Sequence, residues 1–214
     1  MQKTLSKGEE TRALILRRAL AMASTVGLEG LSIGNVAKAV KMSKSGLFAH
    51  FASKEDLQLQ VMRTAVDRFI EQVARPILRQ PRGEPRVRAF FENWLAWAES
   101  VDLPGGCVFI SAAAELDDRP GPLRDYLVST QRQALETAQR AARIAVEEGH
   151  FRADLDVEQF AHDLYSLILA FHHFHRLLGD PEAIDRAQRS FEALLVRSRP
   201  PAVPGASSVD PPTS

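Results

Sequence analysis

The chain has 214 residues, 45% of them hydrophobic and 25% charged, and a formal net charge of zero. That length suits one large domain or two small ones with a real core, and the charge balance excludes a uniformly basic nucleic-acid coat. The single cysteine, Cys107, excludes an internal disulfide and a multi-thiolate zinc site. No apolar run approaches the ~20 residues that cross a bilayer, and Met1–Arg12 carries no apolar leader, so a cytoplasmic protein without a membrane partner is expected.

Neutrality hides an asymmetry. Residues 1–70 carry eleven Lys and Arg against six Asp and Glu, and the remainder carries sixteen against twenty-one. A basic front and an acidic rear fit a front that faces a polyanion.

In chain order the pattern is all helix. Ala13, Leu16, Leu20 and Ala23 recur at helical spacing over 11–26, and Gly27 ends the run. Ser32 caps a short helix through Val40, and after Lys41-Met42-Ser43 a second short helix runs from Lys44 to Phe51. Ser53 caps a long helix with Leu57, Val61, Ala65, Phe69 and Val73 four apart. Residues 79–85 read as a linker, followed by an aromatic helix over 87–101 and a short apolar one over 107–116. Long helices over 123–148 and from a cap at Asp156 to Leu178 follow, and a last helix covers 182–197. From Arg199 the tail holds five prolines in sixteen residues and is expected to be disordered. The expectation is an all-α protein of about nine helices.

Two short helices joined by a three- or four-residue turn have the proportions of a helix-turn-helix. Eight residues at about 1.5 Å each span about 12 Å, close to the width of the DNA major groove. Lys44, Ser45 and His50 are polar enough to face a groove, while Leu47 and Phe51 can pack inward with Ile33, Val36, Ala37 and Val40.

The stretch from Ser32 to Leu57 closely resembles the DNA-binding domain of the TetR family of bacterial transcriptional regulators. Ser32, Val36, Ala37, Ser43, Leu47, His50, Phe51, Ser53, Lys54, Glu55 and Leu57 match the family pattern. Phe48 stands where the family usually has Tyr, and so lacks the hydroxyl that commonly reaches a phosphate; Asn35 replaces the usual acid. The resemblance implies a DNA-facing set of Ser32, Lys41, Ser43, Lys44, Ser45, Gly46, Phe48, His50 and Lys54. Ser32 and Lys54 would meet phosphates at helix starts, and Lys44 would donate to guanine or to the backbone. Gly46 suits either a close approach of DNA or plain packing, and His50 either a phosphate contact or a structural place. Thr11 and Arg12 are weaker candidates.

The resemblance divides the chain into a helix-turn-helix domain (1–52), an effector-binding and dimerisation domain (53–198) and the tail (199–214). It implies a homodimer on a palindromic operator, with half-sites about 34 Å apart. Leu164, Ile168 and Phe171 with Phe191, Leu194 and Leu195 are the candidate dimer residues. The aromatic residues Phe90, Trp94, Trp97, Phe109 and Phe171 could line an effector pocket or form core. Few charges accompany them, so the effector expected is a small lipophilic molecule. His172, His173 and His175 lack a carboxylate or cysteine at ligand spacing and read as core or interface histidines. Cys107, at a helix start, suits either a reactive thiolate or a buried thiol. No nucleophile elbow, phosphate loop or paired carboxylates are present, so neither catalysis nor a cofactor is expected. The reading is a repressor released by its effector; the alternative is a DNA-binding regulator without a small-molecule ligand, partnered by a protein or activating.

Overall fold

A computed structural model of the protein describes residues 6–201. Among them are nine helices and no strand. α1 (Lys7–Val26) begins earlier than its apolar period does, because Ser6 and Glu9 form a reciprocal capping box that satisfies its first amides. It stops at Gly27, whose φ of 76° favours glycine.

α2 (Ile33–Ala39), α3 (Lys44–Phe48) and α4 (Lys54–Phe69) each start from a serine. Ser32, Ser43 and Ser53 accept from the amides of Asn35, Gly46 and Asp56 at 3.0, 3.0 and 3.1 Å. Short helices cannot hold themselves in water, so these caps and the packing of Val36, Ala37, Leu47 and Phe51 sustain them. The turn between α2 and α3 places Lys41 at φ 57°, a left-handed position costing about 1 kcal/mol for a residue with a Cβ.

α3 is shorter than expected. Its five residues span about 7.5 Å at ~1.5 Å each, and the chain from Ala49 to Ala52 turns away. The amide of His50 already reaches back three residues to Leu47, tightening the last turn, and Ser53 must be extended to cap α4.

α4 continues through a π-helical turn (Ile70–Ala74) into a final short turn (Arg75–Ile77). Then come α5 (Glu84–Ala98), α6 (Val108–Leu116), α7 (Pro122–Glu147), α8 (Val157–His172) and α9 (Ala183–Ser198). A second π-helical turn (His173–Leu177) extends α8. Prolines at the first turns of α5 and α7 let both start earlier than the sequence reading, since a missing N–H there costs nothing, and both also end earlier.

One continuous core joins all nine helices. α4 packs on α1 with its first part and on α5 and α7 further along. In the rear, Phe91 stacks on Phe191 at 4.1 Å, tying α5 to α9. Above that stack Glu84 receives the Arg199 guanidinium at 2.6 and 2.8 Å, and Arg88 bridges Glu84 and Glu192. Arg199, expected to be disordered, is therefore fastened; residues 202–214 of the tail lie outside the described residues.

Candidate DNA-binding head and effector cavity

The caps of α2 and α3 bring the first group of candidates together. A Cβ placed on Gly34 would lie 3.6 Å from Lys44 Nζ and 3.9 Å from Ser32 Oγ, so the lysine of α3 lies across the start of α2. Ser43 Oγ, besides capping Gly46, sits 3.0 Å from Ser45 Oγ. Lys41, Ser43, Lys44 and Ser45 are exposed. Phe48 is 53% exposed, an aromatic ring turned to the surface although Leu47 beside it is fully buried. Gly46 is half-buried beneath Ser43, and a Cβ there would lie 3.2 Å from Ser43 Oγ. His50 is half-buried, and the Arg12 guanidinium lies 5.1 Å above the neighbouring Phe51 ring.

Lys54 stands apart from this group. Its Nζ donates to the Glu29 carbonyl at 3.0 Å and to the Glu29 carboxylate at 3.3 Å. It stitches α4 to the α1–α2 loop, and any phosphate must compete with Glu29 for it.

Sequence reasoning missed Glu115. From the end of α6 its carboxylate accepts the Leu28 amide at 3.2 Å and the Glu29 amide at 2.8 Å. Nearby, Gln58 donates to the Leu28 carbonyl at 2.7 Å and Gly105 N donates to Ser24 Oγ at 3.0 Å. A side chain at Gly105 is forbidden, since its Cβ would fall 1.5 Å from the Ser24 carbonyl oxygen. The rear of the molecule thus holds the loop that leads into α2. The only sequence signal was a lone acid closing the apolar run from Val108 to Leu116.

Behind this junction lies a cavity of about 210 Å³. α4 and its π turn contribute Val66, Phe69 and Ile70, and α5 contributes Phe90 and Trp94. Phe109 of α6, Gln131 and Ala134 of α7 and Tyr165 of α8 close it. Phe69 is the hub of the wall, edge-on to Trp94, Trp97 and Phe109 at 5.0, 5.6 and 5.7 Å. Burial pushes the Tyr165 phenol up to about 12, so it stays neutral, and its hydroxyl donates to Gln131 Oε1 at 2.8 Å.

Two expected pocket residues lie elsewhere. Trp97 sits one layer behind, stacked on Phe109 at 6.2 Å, and serves as core. Phe171 stacks on His175 at 5.2 Å and borders a separate groove between α8 and α9. Cys107 is fully buried against Trp94 and Trp97, and burial pushes its thiol up, which disfavours a thiolate.

The six candidate dimer residues are also corrected. Leu164, Ile168, Phe171, Phe191, Leu194 and Leu195 are each at most 3% exposed within one protomer and have no surface left to give a partner. The outward apolar residues of α8, its π turn and α9 are Leu169, Phe174, Leu177 and Val196. His172 is half-buried with Nδ1 unpartnered, and burial together with Arg176, His175 and His173 holds it below the ordinary histidine value. No group of three or more metal-ligating side chains converges among the described residues, and no helix there is long and apolar enough to cross a membrane.

Comparison with known proteins agrees with this architecture. Residues 15–61 match the family model described as bacterial regulatory proteins, tetR family, and residues 83–191 match a tetracyclin repressor-like C-terminal domain. The chain is 30% identical over 156 residues to the HTH-type transcriptional regulator TcmR of Streptomyces glaucescens, a match covering 70% of this chain and 64% of that protein. Among solved structures, a TetR-family regulator from Cytophaga hutchinsonii superposes with a TM-score of 0.80 at 19% identity, over 92% of this chain and 98% of the other. AibR, solved with isovaleryl coenzyme A and operator DNA, superposes with a TM-score of 0.71 at 22% identity, over 88% and 99%. With its helix-turn-helix and its C-terminal helices both matched, the chain belongs to the TetR family of bacterial transcriptional regulators.

Proposed function

We propose that this protein is a homodimeric repressor that binds a palindromic operator through its head and lets go when a small lipophilic molecule enters the rear cavity. The observation that carries this reading is the path of α4. Its first residue, Lys54, holds the α1–α2 loop at Glu29, and Val66 and Phe69 near its end form the cavity wall. A molecule that displaces Phe69 or Ile70 must move the helix on which the head rests. The π turn starting at Ile70 is a natural place for such a shift, because its hydrogen bonds are already out of α register. An effector acts only through its different affinity for the two arrangements, and a release of 100-fold needs about 2.7 kcal/mol of that difference.

On the DNA side, Ser32, Ser43, Lys44, Ser45 and Phe48 form the proposed contact face, with Lys41, Gly46 and His50 at its edge and Lys54 recruited from Glu29. The proposed dimer face is the outward stripe Leu169, Phe174, Leu177 and Val196, continuous with the groove lined by Ala170 and Ser190. The aromatic-walled cavity favours a ligand-responsive protein over a regulator without a small-molecule ligand.

Selection of the full chain against a random duplex library tests the proposal. A palindrome with half-sites about one helical turn apart is expected, together with a dimeric mass in solution. Absence of enrichment at low salt would overturn it.

A further inference from the structure

The cavity's polar groups specify more than lipophilicity. None of its lining residues is ionised. A carboxylate, phosphate or ammonium entering it would lose its hydration with no opposite charge in return, which costs several kcal/mol. Five rings, those of Phe69, Phe90, Trp94, Phe109 and Tyr165, make up much of the wall, so a flat π-system has edges and faces to meet.

Several of the polar groups are already engaged. The Thr130 and Thr137 hydroxyls donate back to the carbonyls of Tyr126 and Gln133, each at 2.8 Å. Tyr165 donates to Gln131 Oε1, and Gln131 Nε2 donates to the Phe109 carbonyl at 3.2 Å. Besides the unpartnered Trp94 Nε1 and the exposed Gln133 amide, two functions remain side by side at one spot: a lone pair on Tyr165 Oη and the second hydrogen on Gln131 Nε2. A hydroxyl on a ligand satisfies both, donating to the tyrosine and accepting from the amide. Size limits the ring system. An apolar cavity of about 150 Å³ takes benzene, so about 210 Å³ has room for a second fused ring.

We propose that the effector is an uncharged, hydroxylated aromatic of about two fused rings, its hydroxyl held by the Tyr165–Gln131 pair. This rests on the effector-cavity reading above. It also separates this chain from its structural neighbour AibR, solved with an acyl coenzyme A, a polyanion for which this cavity offers no cation.

Calorimetric titration of the full chain with 2-naphthol, naphthalene, 2-naphthoate, decanoate and isovaleryl coenzyme A tests it. 2-Naphthol should bind five- to tenfold more tightly than naphthalene, the worth of about one hydrogen bond. The three anions should bind at least tenfold more weakly than 2-naphthol. Tyr165→Phe should erase the preference for 2-naphthol over naphthalene while naphthalene still binds, and Ala134→Leu, which fills the cavity, should weaken both. Binding of an anion as tight as 2-naphthol and sensitive to Ala134→Leu would overturn the ligand class and leave the cavity reading standing. A preference unchanged in Tyr165→Phe would overturn the anchor. Failure of all five probes to bind, or binding indifferent to Ala134→Leu, would sink the cavity reading and this proposal together.

Discussion

The head and the rear of this protein are both helical, yet they handle apolar surface in opposite ways. In the head, α2 and α3 have seven and five residues, and their buried side chains Val36, Ala37 and Leu47, with Phe51 just beyond α3, have almost no accessible surface. Serine caps fix where each helix begins. In the rear, helices of fifteen to twenty-six residues carry aromatic side chains that meet edge-on and leave a void. Under the proposed function a reading head works only if its side chains keep one geometry, and the buried anchors hold it. Under the same proposal a sensing body needs room and a wall that can shift, which flat rings supply.

Truncation should separate the two most sharply. Leu47→Ala is expected to destabilise the protein by about 2–5 kcal/mol in denaturant melts, because a fully buried anchor of a five-residue helix leaves a hole nothing can fill. Ala134→Leu adds volume in the rear, yet it should change stability by less than ~1.5 kcal/mol, since the space already exists. Equal losses would erase the contrast.

The junction comes next. Glu115→Ala strips the acceptor from two loop amides and should cost about 1–3 kcal/mol, with faster hydrogen exchange at Leu28 and Glu29. Unchanged exchange there would mean that the head is held by α4 alone. For DNA, Lys44→Ala should weaken operator binding about tenfold with circular dichroism unchanged, and should flatten the salt dependence by about one unit if the contact is to phosphate.

The smallest effect concerns pH. Hydrogen bonds from Arg199, outweighing burial, and from Arg88 hold the Glu84 carboxyl below its ordinary value of 4.5. The folded state therefore binds this proton less readily than the unfolded chain. Its contribution is present above about pH 4.5 and fades as pH falls further, and Glu84→Gln should flatten that fall by up to about 1 kcal/mol. The head's own clasp, Lys54 on Glu29, is untouched by the substitution.

Much of this was legible in the residues. Ser32 and Ser53 marked two helix starts because a side-chain oxygen at an N-cap is a local interaction, readable without the fold. The end of α3 was not, since Ala49 and His50 are compatible with helix and only the demand that Ser53 lie extended stops them. Trp94 and Trp97 share a face of α5, but periodicity separates inside from outside and cannot separate cavity wall from the layer behind it. The dimer residues failed for a related reason. The strongest apolar stripe of α8 and α9 is consumed by the protomer's own core, and the outward stripe is interrupted by Ser166 and His173.

The sequence by itself determined the helical class, the helix-turn-helix and its family, because each rests on spacings of a few residues that local chemistry enforces. Only the tertiary structure decided that Glu115 grips the head's loop, that Lys54 is held by Glu29, and that Tyr165 and Gln131 meet in an uncharged cavity. Those pairs stand 25 to 87 positions apart in the chain. No local preference encodes such meetings; they follow from how long helices stack once their apolar faces are buried together.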